Sequence, residues 1–217
     1  MVDGNDAFTT TRRGALKTGA LGLGGLTGAI ALGGAETASA AALPSMDTLA
    51  ALAGVPLGNF YLLLDGIPGD SVDDRHPKWV DVAEFSWKAA NASTVTGSGW
   101  SASKPTISTL QLSASTGSHS APLFLRTMNG RRLASSVLEV MTRGESPQTF
   151  IQVELKDVAV ARYETSAAGG DDSPKDVIEL AFAQIRYTII LPSSTGGPAG
   201  QTFTSTWNVR TGTGSSS

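Results

Sequence analysis

No cysteine occurs in the 217-residue chain, which excludes disulfide frameworks, thiolate metal sites and thiol nucleophiles together. Histidine is nearly as scarce: His76 and His119 are the only two, and they lack the His-x3-His and His-Glu-x-x-His spacings that put two zinc ligands on one helix face. Charged residues make up 16% of the chain, aromatics 6%, and the net charge is -3. That balance leaves neither the basic footprint of a nucleic-acid binder nor a disordered acidic tail. What remains is an ordinary soluble surface over a 41% hydrophobic composition, at a length that suits one β-barrel or sandwich domain.

The first forty residues read as an address. Thr11-Arg12-Arg13-Gly14-Ala15-Leu16-Lys17 places paired arginines, Arg12 and Arg13, ahead of a weakly apolar stretch from Thr18 to Ala35, the layout of a twin-arginine export signal. Ala38 and Ala40 fit a signal-peptidase site, so cleavage after Ala40 is expected. Eight glycines from Gly14 to Gly34 dilute the apolarity that a membrane anchor needs. The expected organisation is a leader over 1–40, an N-terminal arm over 41–58, a β-barrel domain over 59–210 and a disordered tail over 211–217. An exported chain without disulfides must be held by its core, a ligand or its neighbours.

In the domain, Phe60 to Leu64 is a short apolar strand closed by Asp65-Gly66 and Pro68-Gly69, and a polar loop runs on to Lys78. Trp79 to Lys88 is expected as a strand with Trp79, Ala83, Phe85 and Trp87 on its packed face. The Ser/Thr/Gly-rich stretch from Asn91 to Lys104, which carries Trp100, reads as a loop. Thr106 to Ser115 is a strand. A helix is expected from Ser120 to Met128, with Pro122 in its first turn and Gly130 as its stop. Ser135–Arg143, Thr149–Thr165 and Asp176–Leu191 follow as an antiparallel meander. The apolar set of the second of these changes parity around Asp157 and Val158, and that of the third between Phe182 and Ile185, as bulged barrel strands do. Phe203 to Arg210 is a last short strand. The fold class is therefore mainly β: a small antiparallel barrel with one short flanking helix.

Chemical motifs are thin. Ser71 and His76 lie five residues apart in one loop, behind Asp73 and Asp74, whereas a hydrolase presents its serine and its base from separate packed elements. Asp171 and Asp172 offer two oxygen ligands without the rest of a calcium loop. No catalytic residue, metal site or cofactor is assigned. Trp79 and Trp87 read as core, while Trp100 in its loop is a candidate contact for a partner or ligand.

Four collinear segments resemble the Hcp family of type VI secretion tube proteins. They are Leu62-Leu63-Leu64-Asp65-Gly66-Ile67-Pro68-Gly69-Asp70-Ser71, Phe85-Ser86-Trp87, the run from Val158 to Asp176 with its Gly169-Gly170-Asp171-Asp172 turn, and Thr206-Trp207-Asn208-Val209-Arg210. The resemblance implies a barrel with one helix on its flank, six copies closing into a ring, rings stacking into a tube, and effector cargo in the lumen. Asp171 and Asp172 form either a solvated turn or an acidic contact to basic residues of the next ring, and Arg131 and Arg132 are either that basic side or a solvated pair that complements the helix dipole. The leader and the arm are additions to the family pattern. The alternative is an exported monomeric barrel that binds a protein or carbohydrate through Trp100 and the loops Asp65–Lys78 and Asn91–Lys104.

Overall fold

The computed structural model describes residue 54 and residues 56–97, 99–191 and 200–217, with backbone alone at 96, 100 and 102. The expected leader with Arg12, Arg13 and Ala40, and nearly all of the arm, lie outside the described residues. The elements run β1 (Leu57–Leu64), β2 (Val80–Ser86), β3 (Ala89–Ala90), β4 (Ser93–Thr96), β5 (Gly99–Ala102), β6 (Thr106–Ile107), β7 (Leu110–Ser115), α1 (Ser120–Asn129), β8 (Leu133–Thr142), β9 (Thr149–Ser166), β10 (Lys175–Ile190), β11 (Thr202–Asn208) and β12 (Thr213–Ser216).

Six strands close a barrel in the order β10, β7, β2, β1, β8, β9 and back to β10, every pairing antiparallel. Its stagger can be followed residue by residue. Asp176 of β10 pairs with Ala114, Ala114 with Val82, Val82 with Phe60, Phe60 with Val140, Val140 with Ile151, and Ile151 with Ile189. One circuit that starts at the beginning of β10 thus returns near its end. Strong tilt of the strands is what such a stagger means, and it explains why β9 and β10 are by far the longest strands. The edge of β10 that β7 occupies at Lys175–Leu180 is taken over at Gln184–Ile190 by β11, which carries β12 on its far side.

The parity changes fall where the apolar pattern placed them. Ile151, Val153 and Leu155 are buried, then Val158 and Val160. Between them Asp157 has φ of 51°, a left-handed backbone that turns the strand without an extra residue. The register itself slips further along, between Glu179 and Leu180 of β10. On β10 buried Ile178 and Leu180 give way to buried Ile185, and this change lies opposite the one on β9, since Phe182 pairs with Val158 and Gln184 with Lys156.

Helix α1 starts one residue after His119 and ends at Gly130, whose φ of 65° is the left-handed cap that lets its N–H reach Arg126 O at 3.0 Å. Leu123 is its fully buried anchor, turned toward the barrel. The core is aliphatic: Leu62, Leu64, Val80, Leu110, Leu138, Val140, Leu155, Ile178 and Leu180 are all essentially inaccessible.

Three expectations need correction. Asn91–Lys104 is not a loop, because β4 and β5 pair as a hairpin with Val95 opposite Trp100, above a second two-stranded piece of β3 and β6. Ser/Thr alternation lacks an apolar period, so a ribbon with little to bury leaves no signal. Residues 211–217 are not a disordered tail; Thr213–Ser216 forms β12 on the edge of β11. In β2 the inward residues are Val80 and Val82, not Trp79 and Ala83, and a bulge between Val82 and Glu84 then returns Phe85 to the packed face.

Candidate functional site

The loop between β1 and β2 is built on close backbone approach. Gly69 N donates to Lys78 O at 2.7 Å and Ser71 N to Trp79 O at 2.9 Å, and a Cβ on residue 69 would stand 2.3 Å from Trp79 O, so only glycine fits. Inside the loop His76 is buried, stacked on Tyr61 with ring centroids 4.2 Å apart and edge-on to Trp79. Its Nδ1 lies 2.7 Å from Asp73 Oδ1 and its Nε2 3.0 Å from Glu139 Oε2 on β8. Asp73 is held below the usual carboxylate range, first by that bond to His76. For Glu139 burial pushes upward, but hydrogen bonds from His76, Gln152 Nε2 (2.8 Å) and Thr149 Oγ1 (3.0 Å) outweigh it and the net shift is down.

Ser71 is also buried, yet its Oγ accepts from Asp73 N at 3.3 Å, and no hydrogen bond joins it to His76 among the described residues. With both ring nitrogens occupied by carboxylates, His76 is not placed as a base for Ser71, in keeping with the objection from spacing.

The second histidine lies where the same loop meets α1. Asp70 Oδ2 accepts from Ser118 N at 2.7 Å, and Ser118 Oγ donates to Pro68 O at 3.1 Å. Behind them Asp176 of β10 is wholly buried and accepts from Thr116 Oγ1 at 2.8 Å and Ser120 Oγ at 2.5 Å. His119 Nε2 stands 3.6 Å from Asp176 Oδ2, and neither ring nitrogen has a hydrogen-bond partner. Burial lowers its pKa against the pull of Asp176 and Asp70. The Ser120 hydroxyl proton is committed to the carboxylate, so the cluster welds loop, helix and strand and presents no activated nucleophile.

The candidate contact residues are scattered. Asp171 and Asp172 are exposed on the turn between β9 and β10, where Asp171 Oδ2 accepts from Ala168 N at 2.7 Å. Arg131 and Arg132 follow the helix stop; Arg132 grips Asp157 at 2.9 and 3.0 Å, and Arg210 pairs with the same carboxylate. The structure therefore does not join the two acidic residues to the two arginines within one chain. Trp100 lies on β5 with its backbone opposite exposed Val95. Among the described residues no group of three side chains is arranged to hold a metal ion, and no helix is long and apolar enough to cross a membrane.

Two apolar surfaces went unnoticed in the sequence. On α1, Phe124, Leu125 and Met128 are exposed, Met128 to 70%. Their spacing puts them side by side on one helix face, a feature that helical periodicity carries but that a short helix with an anchored Leu123 disguises. The other is a cleft of about 490 Å³ where β11 and β12 part from β3 and β6; Trp87, Ile107, Ile185, Tyr187 and Trp207 line it, with Trp87 edge-on to Tyr187 at 5.4 Å. Trp87 is accordingly half-buried against the core, not sealed within it.

Residues 61–189 match the family model described as type VI secretion system effector, Hcp. No curated protein matches the chain. Among solved structures, one of a type six secretion system protein is 27% identical, with a TM-score of 0.68 over 72% of this chain and 99% of its own. Hcp1 from Salmonella typhimurium is 22% identical with a TM-score of 0.59, covering 72% of this chain and 98% of its own. A type VI secretion system effector from Yersinia pestis, 16% identical with a TM-score of 0.55 over 69% and 99%, has the same fold. The match spans more than half of the sequence and coincides with the closed barrel: the chain belongs to the Hcp family of type VI secretion proteins.

Proposed function

We propose that this chain is an exported, ring-forming structural protein whose protomers close into hexamers, stack into a tube and enclose effector cargo, and that it is not an enzyme. The observation that carries the reading is the apolar face of α1. The barrel already closes its own core, so Phe124, Leu125 and Met128 on the outer face of the helix serve no folding purpose, and exposed apolar patches of this kind mark contact surfaces. A cyclic ring repeats one heterologous interface and needs two different patches on each protomer. The helix face and the cleft at Trp87 and Trp207 are such a pair. Export by the leader over 1–40, with release after Ala40, and a role in ring contacts for Asp171, Asp172, Arg131, Arg132 and Trp100 belong to the same proposal.

The test is the mass in solution of the chain from Ala41, by light scattering after size exclusion, with the same peak imaged by negative-stain electron microscopy. A six-membered ring that falls apart in Met128→Glu, with the fold unchanged by circular dichroism, is the expected result. A strict monomer at all concentrations overturns ring formation, and an intact ring in both Met128→Glu and Phe124→Glu removes α1 from the interface.

A further inference from the structure

We propose that the cleft lined by Trp87, Tyr187 and Trp207 is the seat of the chain's own N-terminal arm, residues 41–53, which lie outside the described residues. The place where the arm joins the barrel comes first. Arg143 N donates to Pro56 O at 2.8 Å and Leu57 pairs with Thr142, so the entry to β1 is fixed against β8. On its other side Phe60 pairs with Val82 and β2 runs antiparallel, which brings Phe85 and Ser86 alongside the start of β1 with Trp87 just beyond. The arm therefore joins the barrel one strand spacing, about 5 Å, from the strand that carries Trp87 into the cleft. Its thirteen residues span about 20 Å as a helix and about 40 Å extended, ample for a cleft that begins there.

The two surfaces match in chemistry. None of the side chains that line the cleft is charged. Its wall is close-packed: a Cβ on residue 214 would stand 2.7 Å from the Trp207 ring, so the ring is laid against the backbone of β12. A volume of about 490 Å³ is that of a pocket built to enclose apolar groups. In the arm, Leu43, Met46, Leu49 and Leu52 recur at every third position, the spacing of side-by-side groups on a helical face, and Gly54, with φ of 67°, is a left-handed stop directly after it. Asp47 is the arm's one charged side chain. At the rim of the cleft Lys88, between Trp87 and Ala89, and Lys104, before Pro105, are exposed and form no ion pair among the described residues. An apolar segment with one acid thus faces an apolar cleft with a basic rim. The consequence for assembly rests on the ring reading above: a seated arm keeps the cleft from the helix face of another copy until it is displaced.

The test uses the full chain, whose lack of cysteine lets Ser216→Cys carry a single nitroxide at the rim of the cleft. The amide signals of Met46, Leu49 and Leu52 are read by NMR in ¹⁵N-enriched protein, at a dilution where any assembly is dissociated. They should be lost while the nitroxide is oxidised and return when it is reduced. A nitroxide on Met128→Cys, on the outer face of α1, should leave them intact. Leu49→Asp combined with Leu52→Asp, both outside the barrel, should restore the signals beside the label at 216. An arm that closes the cleft about nine-tenths of the time weakens assembly about tenfold, so the same pair should lower the concentration needed for assembly by that factor. Arm signals that survive the label at 216, or that vanish only with the label at 128, overturn the proposal. So does a loss seen only in mixtures of labelled chains with separate ¹⁵N-enriched chains, which would put the arm in a second copy. A seated arm in a chain that stays monomeric with and without the pair sinks the ring and upholds the seat. A seated arm whose release leaves ring assembly unchanged overturns its hold on assembly.

Discussion

The two halves of β10 make opposite use of the same strand. From Lys175 to Leu180 it is clasped by β7 on one edge and β9 on the other, and Asp176, Ile178 and Leu180 point inward and are fully buried. From Gln184 to Ile190 the clasp on the first edge passes to β11, and Tyr187 and its neighbour Trp207 pack against the core yet border an open cleft. One half is complete within the chain, and the other leaves apolar surface to be covered. The stagger of the barrel produces this contrast, because a circuit that returns far down β10 leaves the lower half of the strand without β7.

The largest expected effect breaks the closed half. Leu180→Ala removes a fully buried side chain and should lower unfolding stability by about 2–5 kcal/mol, measured by urea denaturation at a concentration where any assembly is dissociated. Tyr187→Ala in the open half should cost at most about 2 kcal/mol under the same conditions, because part of its ring already meets solvent, and should weaken assembly by more than it weakens the fold. Equal losses at the two positions would mean that the halves are not differently built.

Asp176 supplies the next step. Burial pushes its pKa up, yet the hydroxyls of Ser120 and Thr116 and those of Thr165 and Tyr163 hold it below the usual carboxylate value. A carboxylate depressed in the folded state contributes stability that is complete above its unfolded value, about 3.9, and is lost as pH falls through the folded one. Stability should thus have a component that fades below about pH 4 and is missing in Asp176→Asn. At neutral pH that substitution should cost about 1.5–3 kcal/mol, the worth of hydrogen bonds to a charged group. An unchanged acid profile would show that other carboxylates carry the acid sensitivity.

Most of the closed half was legible in the sequence, and the reason is burial. Alternation in Thr149–Thr165 and Asp176–Leu191, the helix with its Gly130 stop, and the parity changes all come from residues that must face a core, and period is the record of that demand. The elements that escaped are those with little core to face: β4, β5 and β12 are Ser, Thr and Gly ribbons held by backbone pairing, which leaves no side-chain pattern. In β2 one bulge sufficed to move the inward set from Trp79 and Ala83 to Val80 and Val82. The partners of His76 and His119 were hidden for another reason. Glu139 lies 63 residues from His76 and Asp176 lies 57 from His119, and only the barrel's stagger brings them together. The outward face of α1 was concealed because its residues are apolar, as core residues are, and sequence does not say which apolar face finds cover within the chain.

The smallest effect tests what divides the halves. At Asp157 the inward set of β9 changes parity, and two explanations compete: the left-handed backbone, or the grip of Arg132 and Arg210 on the carboxylate. Both arginines are mostly exposed, so the ion pairs should be worth under about 1 kcal/mol together in water, whereas a side chain with a Cβ held in the left-handed region costs about 1–2 kcal/mol that glycine avoids. Asp157→Gly and Asp157→Ala lose the same carboxylate and differ in the backbone they favour. Glycine at 157 should therefore leave stability within about 0.5 kcal/mol of the parent, with alanine about 1 kcal/mol below glycine. Equal stability of the two would assign the turn in β9 to the arginine clamp, and Arg132→Ala would then have to reproduce the loss on its own.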